Sequence, residues 1–407
     1  MPLPFLTLAP LLLVQSAPER AEAWSADILH VVEELERMHP DPFFAVPREE
    51  FEGAVDGLLG RLGELDDAAT TIELMRLMAT LSRAGREGHA TVWPMRAHYL
   101  PVQLYLFEDG WFVVRADGQP EWTGARVAAL GGLAPETVCE RLTPLLTFDN
   151  EWSLRQKLAL ALTVPELLSG VGVPLEDGAV RLELARAGRP NEGVLLKGGG
   201  FDPGRFAQLL PQRGGARWLT GRDEAYRMEV LVPERALYVQ FNEVTARSGE
   251  RTLADFAAEL VRTFEREKLE RVVVDVRSNG GGDNTTFGPL IQALQTPAIN
   301  VRGRLFGLTG RATFSAAGNF VTVLERDTEA LLVGEPTGGA PNQYGDAREV
   351  ELASHPEVMV RIATRYHAFG GPADARLTHV PALAVPLASA GYFAGRDLVL
   401  TRALAYR

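Results

Sequence analysis

Residues 271–276 read Arg-Val-Val-Val-Asp-Val, an unbroken apolar run that ends in a polar turn and three glycines, Gly280, Gly281 and Gly282. A strand without a polar face must be covered on both sides, which is the condition of a strand inside a parallel sheet flanked by helices. Its surroundings agree. Residues 253–266 carry Phe256, Leu260 and Phe264 at helical spacing, and residues 236–239, Ala-Leu-Tyr-Val, read as another strand. From residue 228 onward strands and helices alternate, so this half of the chain is an α/β arrangement.

The remainder follows different periods. A chain of 407 residues exceeds one ordinary core, so two or three domains are expected. Residues 24–90 have helical spacing: Ile28, Val31, Val32 and Leu35, then Phe51, Val55, Leu58 and Leu59, then Leu74, Leu77, Met78 and Leu81. His39-Pro40-Asp41-Pro42 breaks the first stripe, and Asp66 or Thr70 suits the cap of the third. Residues 91–200 change to short runs between turn residues. A hairpin joins 104–107 to 111–114, a strand and turn fall at 125–132, a helix at 135–145, and a strand pair at 180–184 and 193–196. Residues 201–227, rich in Gly, Pro and Arg, read as a linker or mobile loop, and 228–407 form the core.

Composition excludes more than it selects. A net charge of −12 argues against nucleic acid and anionic membrane surfaces as partners. After the first segment no run is long and apolar enough for a membrane span. The lone Cys139 excludes an internal disulfide framework and any multi-cysteine metal site, and its apolar setting suits a structural thiol. Residues 1–23 have an apolar stretch from Leu3 to Val14 and the small-x-small Ala21-Glu22-Ala23, the pattern of a signal peptide, although no Lys or Arg precedes the apolar stretch. The expectation is export to a periplasmic or extracellular space, with a cytoplasmic location otherwise.

Two segments carry potential chemistry. In Asp275-Val276-Arg277-Ser278-Asn279-Gly280-Gly281-Gly282 the glycines allow positive φ and close approach of a ligand, though a glycine run alone is an ordinary tight turn. In Thr313-Phe314-Ser315-Ala316-Ala317, Ser315 heads a helix whose apolar positions are Ala317, Phe320, Val321 and Leu324. By spacing alone that serine reads as an N-cap, but the same position would aim helix N–H groups at an oxyanion.

Taken together and in this order, the segments resemble the tail-specific (C-terminal-processing) peptidases. The likeness rests on Asp275, Arg277, Asn279, Gly281 and Gly282, then Thr313, Ser315, Ala316 and Ala317, then Gly334, Glu335, Thr337 and Gly339, with a closing Gly395-Arg396-Asp397. It implies a crotonase-like β-β-α core behind an N-terminal helical domain and a small β-rich PDZ-like domain, although no Gly-Leu-Gly carboxylate-binding loop is visible. It implies a peptidase acting on protein or peptide substrates with Ser315 as nucleophile, without cofactor or metal, and leaves a homo-oligomer open.

Members with a Ser–Lys dyad have lysine where Ala340 stands, and no lysine follows Lys268, so the base must differ. The resemblance to tricorn-core-like members implies histidine from before the core: His89, in Glu87-Gly88-His89-Ala90-Thr91. Imidazole titrates where it can accept and return the serine proton. His39, His98, His367 and His379 have weaker claims, and His30 and His355 are expected at the surface. For the orienting acid the relatives imply a carboxylate nearly sixty residues on, and Asp374 lies 59 residues after Ser315, with Glu335 as a rival better suited to bracing a loop. The oxyanion donors are expected to be Ala316 with Gly281 or Gly282. The alternatives are a non-catalytic ligand-binding protein on the same fold, and a thioester-directed acyl-transfer enzyme.

Overall fold

The computed structural model describes residues 16–200 and 215–407. The apolar stretch from Leu3 to Val14 lies outside them, whereas Ala21, Glu22 and Ala23 lie within the first helix.

Three helices open the described chain: α1 (Ala17–Met38), α2 (Arg48–Leu59) and α3 (Asp67–Ala79). Helix α1 stops before His39-Pro40, and Asp66 caps α3 by accepting from the Ala69 N–H at 2.8 Å. The short strand β1 (Thr91–Pro94) follows. Next come β2 (Val102–Phe107), β3 (Gly110–Ala116) and β4 (Arg126–Leu130), then α4 (Pro135–Leu142), α5 (Glu151–Ala161) and α6 (Pro165–Gly170). Strands β5 (Leu175–Glu176), β6 (Ala179–Ala185) and β7 (Glu192–Lys197) complete an antiparallel sheet in the order β2-β3-β4-β6-β5, with β7 also against β6. The periodicity anticipates the hairpin β2–β3 and the pair β6–β7. It misses α5 and α6.

The second half is built on β8 (Tyr226–Leu231), β9 (Ala236–Phe241), the two-residue pair β10 (Arg247–Ser248) and β11 (Arg251–Thr252), α7 (Leu253–Arg266), β12 (Arg271–Asp275), α8 (Gly288–Leu294), β13 (Leu305–Thr309), α9 (Ala316–Asp327) and β14 (Leu331–Gly334). It continues with β15 (Asn342–Gly345), β16 (Arg348–Val350), β17 (Val358–Ile362), β18 (Arg365–Ala368), β19 (Leu383–Ala384), α10 (Ser389–Phe393) and α11 (Leu398–Leu404). The central sheet runs β19-β14-β13-β12-β9-β8, parallel except for β8. Strand β12 alternates as a doubly covered strand must. Val272 and Val274 pack with Phe256, Leu290 and Phe320 on one face, and Val273 packs with Val399, Leu400 and Ala403 of α11 on the other.

One hydrophobic cluster unites the three opening helices with the antiparallel sheet, and it also takes in Val350, Val358, Val360 and Ile362 of β16 and β17. Strand β1 pairs with β17, Thr91 opposite Arg361 through Pro94 opposite Val358. A strand from the second half is therefore packed into the core of the first. The two halves are also tied by Arg311, a buried guanidinium that forks onto Glu335 at 2.7 and 3.2 Å and donates to the Leu106 carbonyl at 2.7 Å.

Candidate active site

The residues singled out in the sequence surround the start of α9. Strand β12 ends at Asp275, whose carboxylate receives Arg277, and the same guanidinium bonds both oxygens of Asp397 at 2.8 and 2.9 Å. This buried group fastens α11 beneath the glycine turn. Asn279 shapes the turn itself: its amide donates to the Phe241 carbonyl and its oxygen accepts from the Gly281 N–H, both at 2.9 Å. Gly281 has φ +122°, and a Cβ there would lie 2.7 Å from the Ser315 Cβ, so only glycine lets the turn come so close.

Thr313 donates to the Val276 carbonyl at 2.9 Å, which registers the serine segment against the end of β12. Glu335 braces Arg311, and the Thr337 hydroxyl bonds the Gly339 carbonyl at 2.7 Å and His379 Nδ1 at 3.0 Å. Gly339 then packs against the Ser315 backbone, where a Cβ would sit 3.3 Å from the Ser315 nitrogen.

Ser315 occupies the N-cap position of α9 without capping it. Its backbone is at φ +53° and ψ −129°, a conformation that costs a residue with a side chain about 1–3 kcal/mol. The hydroxyl turns out of the helix and lies 2.9 Å from His89 Nε2. The reading of this serine as an ordinary cap therefore fails. The imidazole stacks on Phe314, ring centres 4.6 Å apart. Burial pushes the His89 pKa down to about 4; the nearby Glu87 charge opposes that shift, while Lys157, Arg361 and His367 add to it. At neutral pH His89 is an uncharged base in contact with a hydroxyl.

Two expectations need correction. Asp374 does not reach His89. Its oxygens are taken by the guanidinium of Arg376 at 2.8–3.2 Å, which keeps the carboxyl below its ordinary pKa, and Arg376 goes on to Glu325 at 2.7 Å. Two positions of separation make that local fork favourable, and it competes directly with a distant imidazole. His89 Nδ1 is buried and has no partner among the described residues. Gly281 is not an oxyanion donor either, because its N–H is bonded to Asn279. Gly282 differs. It bridges Val244 in parallel fashion, with the Gly281 carbonyl and the Asp283 N–H making the bonds, which turns its own N–H to the opposite edge. The Ala316 N–H, in the first turn of α9, has no acceptor among the described residues.

Several residues around the site were not read from the sequence. Glu87, wholly buried, accepts the N–H groups of His89 at 3.0 Å and Ala90 at 2.6 Å, and its other oxygen meets His39 Nε2 at 2.8 Å. Asp149 accepts from Gly88 at 2.7 Å and Ala340 at 3.3 Å, and burial raises its pKa to about 7. Lys157 of α5 donates to the carbonyls of Gly88 and Thr147, both at 2.7 Å, and burial lowers it to about 8. An Asn150 cap followed by Leu154, Leu158 and Ala161 was the available signal for α5. His355, expected at the surface, is buried against Asp27 at 2.8 Å. Cys139 is half-buried with its thiol pushed up to about 12, as suits a structural role.

No protein-family model matches the chain, and no curated protein matches it in sequence. Solved structures do. Mature CPAF complexed with lactacystin superimposes with a TM-score of 0.65 at 11% identity, covering 93% of this chain and 96% of that one. Mature CPAF alone gives 0.65 at 12% identity, covering 93% and 95%. The photosystem II D1 C-terminal processing protease matches more loosely, with a TM-score of 0.40 at 14% identity over 89% of this chain and 93% of that one. The coverage is nearly complete in both directions for CPAF, so the similarity concerns the whole arrangement: this chain has the fold of mature CPAF.

Proposed function

We propose that the chain is a serine-type peptidase of the tail-specific, Ser–His kind, with a crotonase-like core. The observation that carries this reading is the contact of 2.9 Å between the Ser315 hydroxyl and His89 Nε2, made across 226 residues with Ser315 in a strained backbone conformation. A helix cap needs neither. Ser315 attacks a peptide carbonyl as its proton passes to His89 Nε2. The tetrahedral oxyanion is met by the N–H groups of Ala316 and Gly282. His89 returns the proton to the leaving amine, and water, deprotonated by the same imidazole, releases the acyl group.

The antiparallel sheet β2–β7 with α4 supports a PDZ-like reading of residues 91–200, and strand addition is how such a module holds an extended peptide. The apolar stretch near the start supports export. No helix among the described residues is long and apolar enough to cross a membrane.

The test is hydrolysis of casein or a peptide library, together with fluorophosphonate labelling. Ser315→Ala and His89→Ala are expected to lose activity by about 10²–10⁴-fold or more. Asp374→Ala is expected to stay within about threefold of wild type, because its carboxylate serves Arg376. A wild-type chain whose Ser315 takes no fluorophosphonate is a binder, and the peptidase reading is then wrong.

A further inference from the structure

A catalytic imidazole needs a group to orient it and a negative charge to support it once protonated. The usual place for both is the second ring nitrogen, and in this chain that nitrogen, His89 Nδ1, is buried without a partner among the described residues. The backbone around His89 is instead held at almost every polar atom. The Gly88 N–H goes to Asp149, the Gly88 carbonyl accepts from Lys157, and the Ala90 carbonyl accepts from the Thr147 hydroxyl. The N–H groups of His89 and Ala90 both go to one oxygen of Glu87.

The other Glu87 oxygen is also committed. His39 Nδ1 accepts from the Asp41 N–H at 3.1 Å, so its Nε2 carries the proton and donates to Glu87 at 2.8 Å. Both side chains of this pair are fully enclosed. Among the charged groups that act on His89, Lys157, Arg361 and His367 disfavour its protonated form, and Glu87 favours it.

We propose that Glu87, locked by His39, is the positioning residue of the Ser315–His89 pair: it fixes the imidazole through the backbone and supplies the negative charge that the imidazolium needs. The inference rests on the peptidase reading above. It gives to a residue two places before the base the orienting role that the resemblance implied for Asp374.

The arrangement makes the substitution Glu87→Gln informative. The amide can turn its oxygen to the two backbone N–H groups, but its NH₂ then faces the His39 Nε2–H, donor against donor. Turned the other way, it faces two backbone donors. His39 cannot relieve this by changing tautomer, because its Nδ1 is engaged by Asp41. Asp27 and His355 offer a matched control. They form a second buried carboxylate–histidine pair at 2.8 Å, with Trp24 stacked on the histidine, and have no bond to the His89 loop.

The experiment measures the rate of fluorophosphonate labelling of Ser315, and kcat and KM for a peptide, in the wild type, Glu87→Gln and Asp27→Asn. The full chain is used throughout, and rates are normalised to the folded fraction. Glu87→Gln is expected to slow labelling and kcat by about 10²-fold with KM within about threefold, the penalty of a small misplacement. Asp27→Asn is expected to lower Tm and leave both rates unchanged. If Glu87→Gln does not fold, His39→Ala is measured in its place, with a loss of about tenfold in kcat expected because Glu87 keeps its backbone bonds. A wild type that labels beside a Glu87→Gln, or failing that a His39→Ala, that labels equally fast overturns this inference alone. A wild type that takes no label removes the peptidase reading and this inference with it.

Discussion

Ser315 pays for its position in backbone strain, and the surrounding glycines explain why it can. Gly281 and Gly339 approach the serine from two sides, each where a methyl group would collide or crowd. Gly281→Ala is therefore expected to displace Ser315 from His89 and reduce kcat by 10²-fold or more, while the distant sheet stays folded; near-UV circular dichroism beside a peptidase assay checks this. The pH dependence also belongs to single residues. With the His89 pKa lowered to about 4, the imidazole is a free base above that value and is protonated, hence inactive, below it. The acid limb of kcat/KM should fall near pH 4 and not near 6.5, the value of an exposed imidazole, and a pH–rate profile with a neutral peptide reads it directly. The contact between Ser315 and His89 was legible in the sequence because each sits in a short motif with its own spacing. What surrounds the second ring nitrogen of His89 was not. Asp374 satisfied the spacing, but Arg376, two positions away, outcompetes anything more remote, and a local ion pair of that kind leaves no trace in motif order.

At the scale of elements, helix α9 and strand β12 stood out because their apolar patterns are strong: three consecutive valines for the strand, and Ala317, Phe320, Val321 and Leu324 at helical spacing, all of them buried, for the helix. Helix α5 was overlooked because its spacing is weakly amphipathic, although Asn150 caps it and Lys157 on it holds the Gly88 carbonyl. The elements are joined by buried ions. Arg311 reaches from the turn after β13 to Glu335 after β14 and to the Leu106 carbonyl in β2, with its guanidinium 4.6 Å from the Tyr105 ring. Arg311→Met would leave the Glu335 carboxylate buried and unpaired, at a cost of about 3–5 kcal/mol. Urea denaturation should report that loss, and a change within 1 kcal/mol would show that Glu335 finds another partner.

At the scale of the molecule, the charges behind the site give stability an unusual pH dependence. Burial raises Asp149 to about 7, so its protonated form is favoured by folding. That contribution is complete below about pH 4 and is lost as pH rises through 7. His89 and His379, lowered to about 4 and about 3, work in the opposite direction between those values and the usual histidine pKa, which masks the Asp149 effect in the wild type alone. The difference in unfolding free energy between the wild type and Asp149→Asn isolates it. That difference should shift against the wild type by a few kcal/mol between pH 4 and 7 and then level off, whereas a flat difference would mean that Asp149 is ionised throughout. The broad division into helices, antiparallel strands and an α/β half was readable from changes of period. What the periods could not reveal is that β17, far along the chain, completes the core of the first half beside β1.

That exchange has a consequence for how the chain comes to life. His89 stands just before β1 and Ser315 at the head of α9; their neighbours Ala90 and Ala316 belong to different hydrophobic clusters, and the seam between the two is closed by β17 pairing with β1 and by Arg311 reaching the Leu106 carbonyl. Because 226 residues separate the imidazole from the hydroxyl, a polypeptide still emerging from its synthesis carries the first well before the second exists, and their contact forms only in the finished fold.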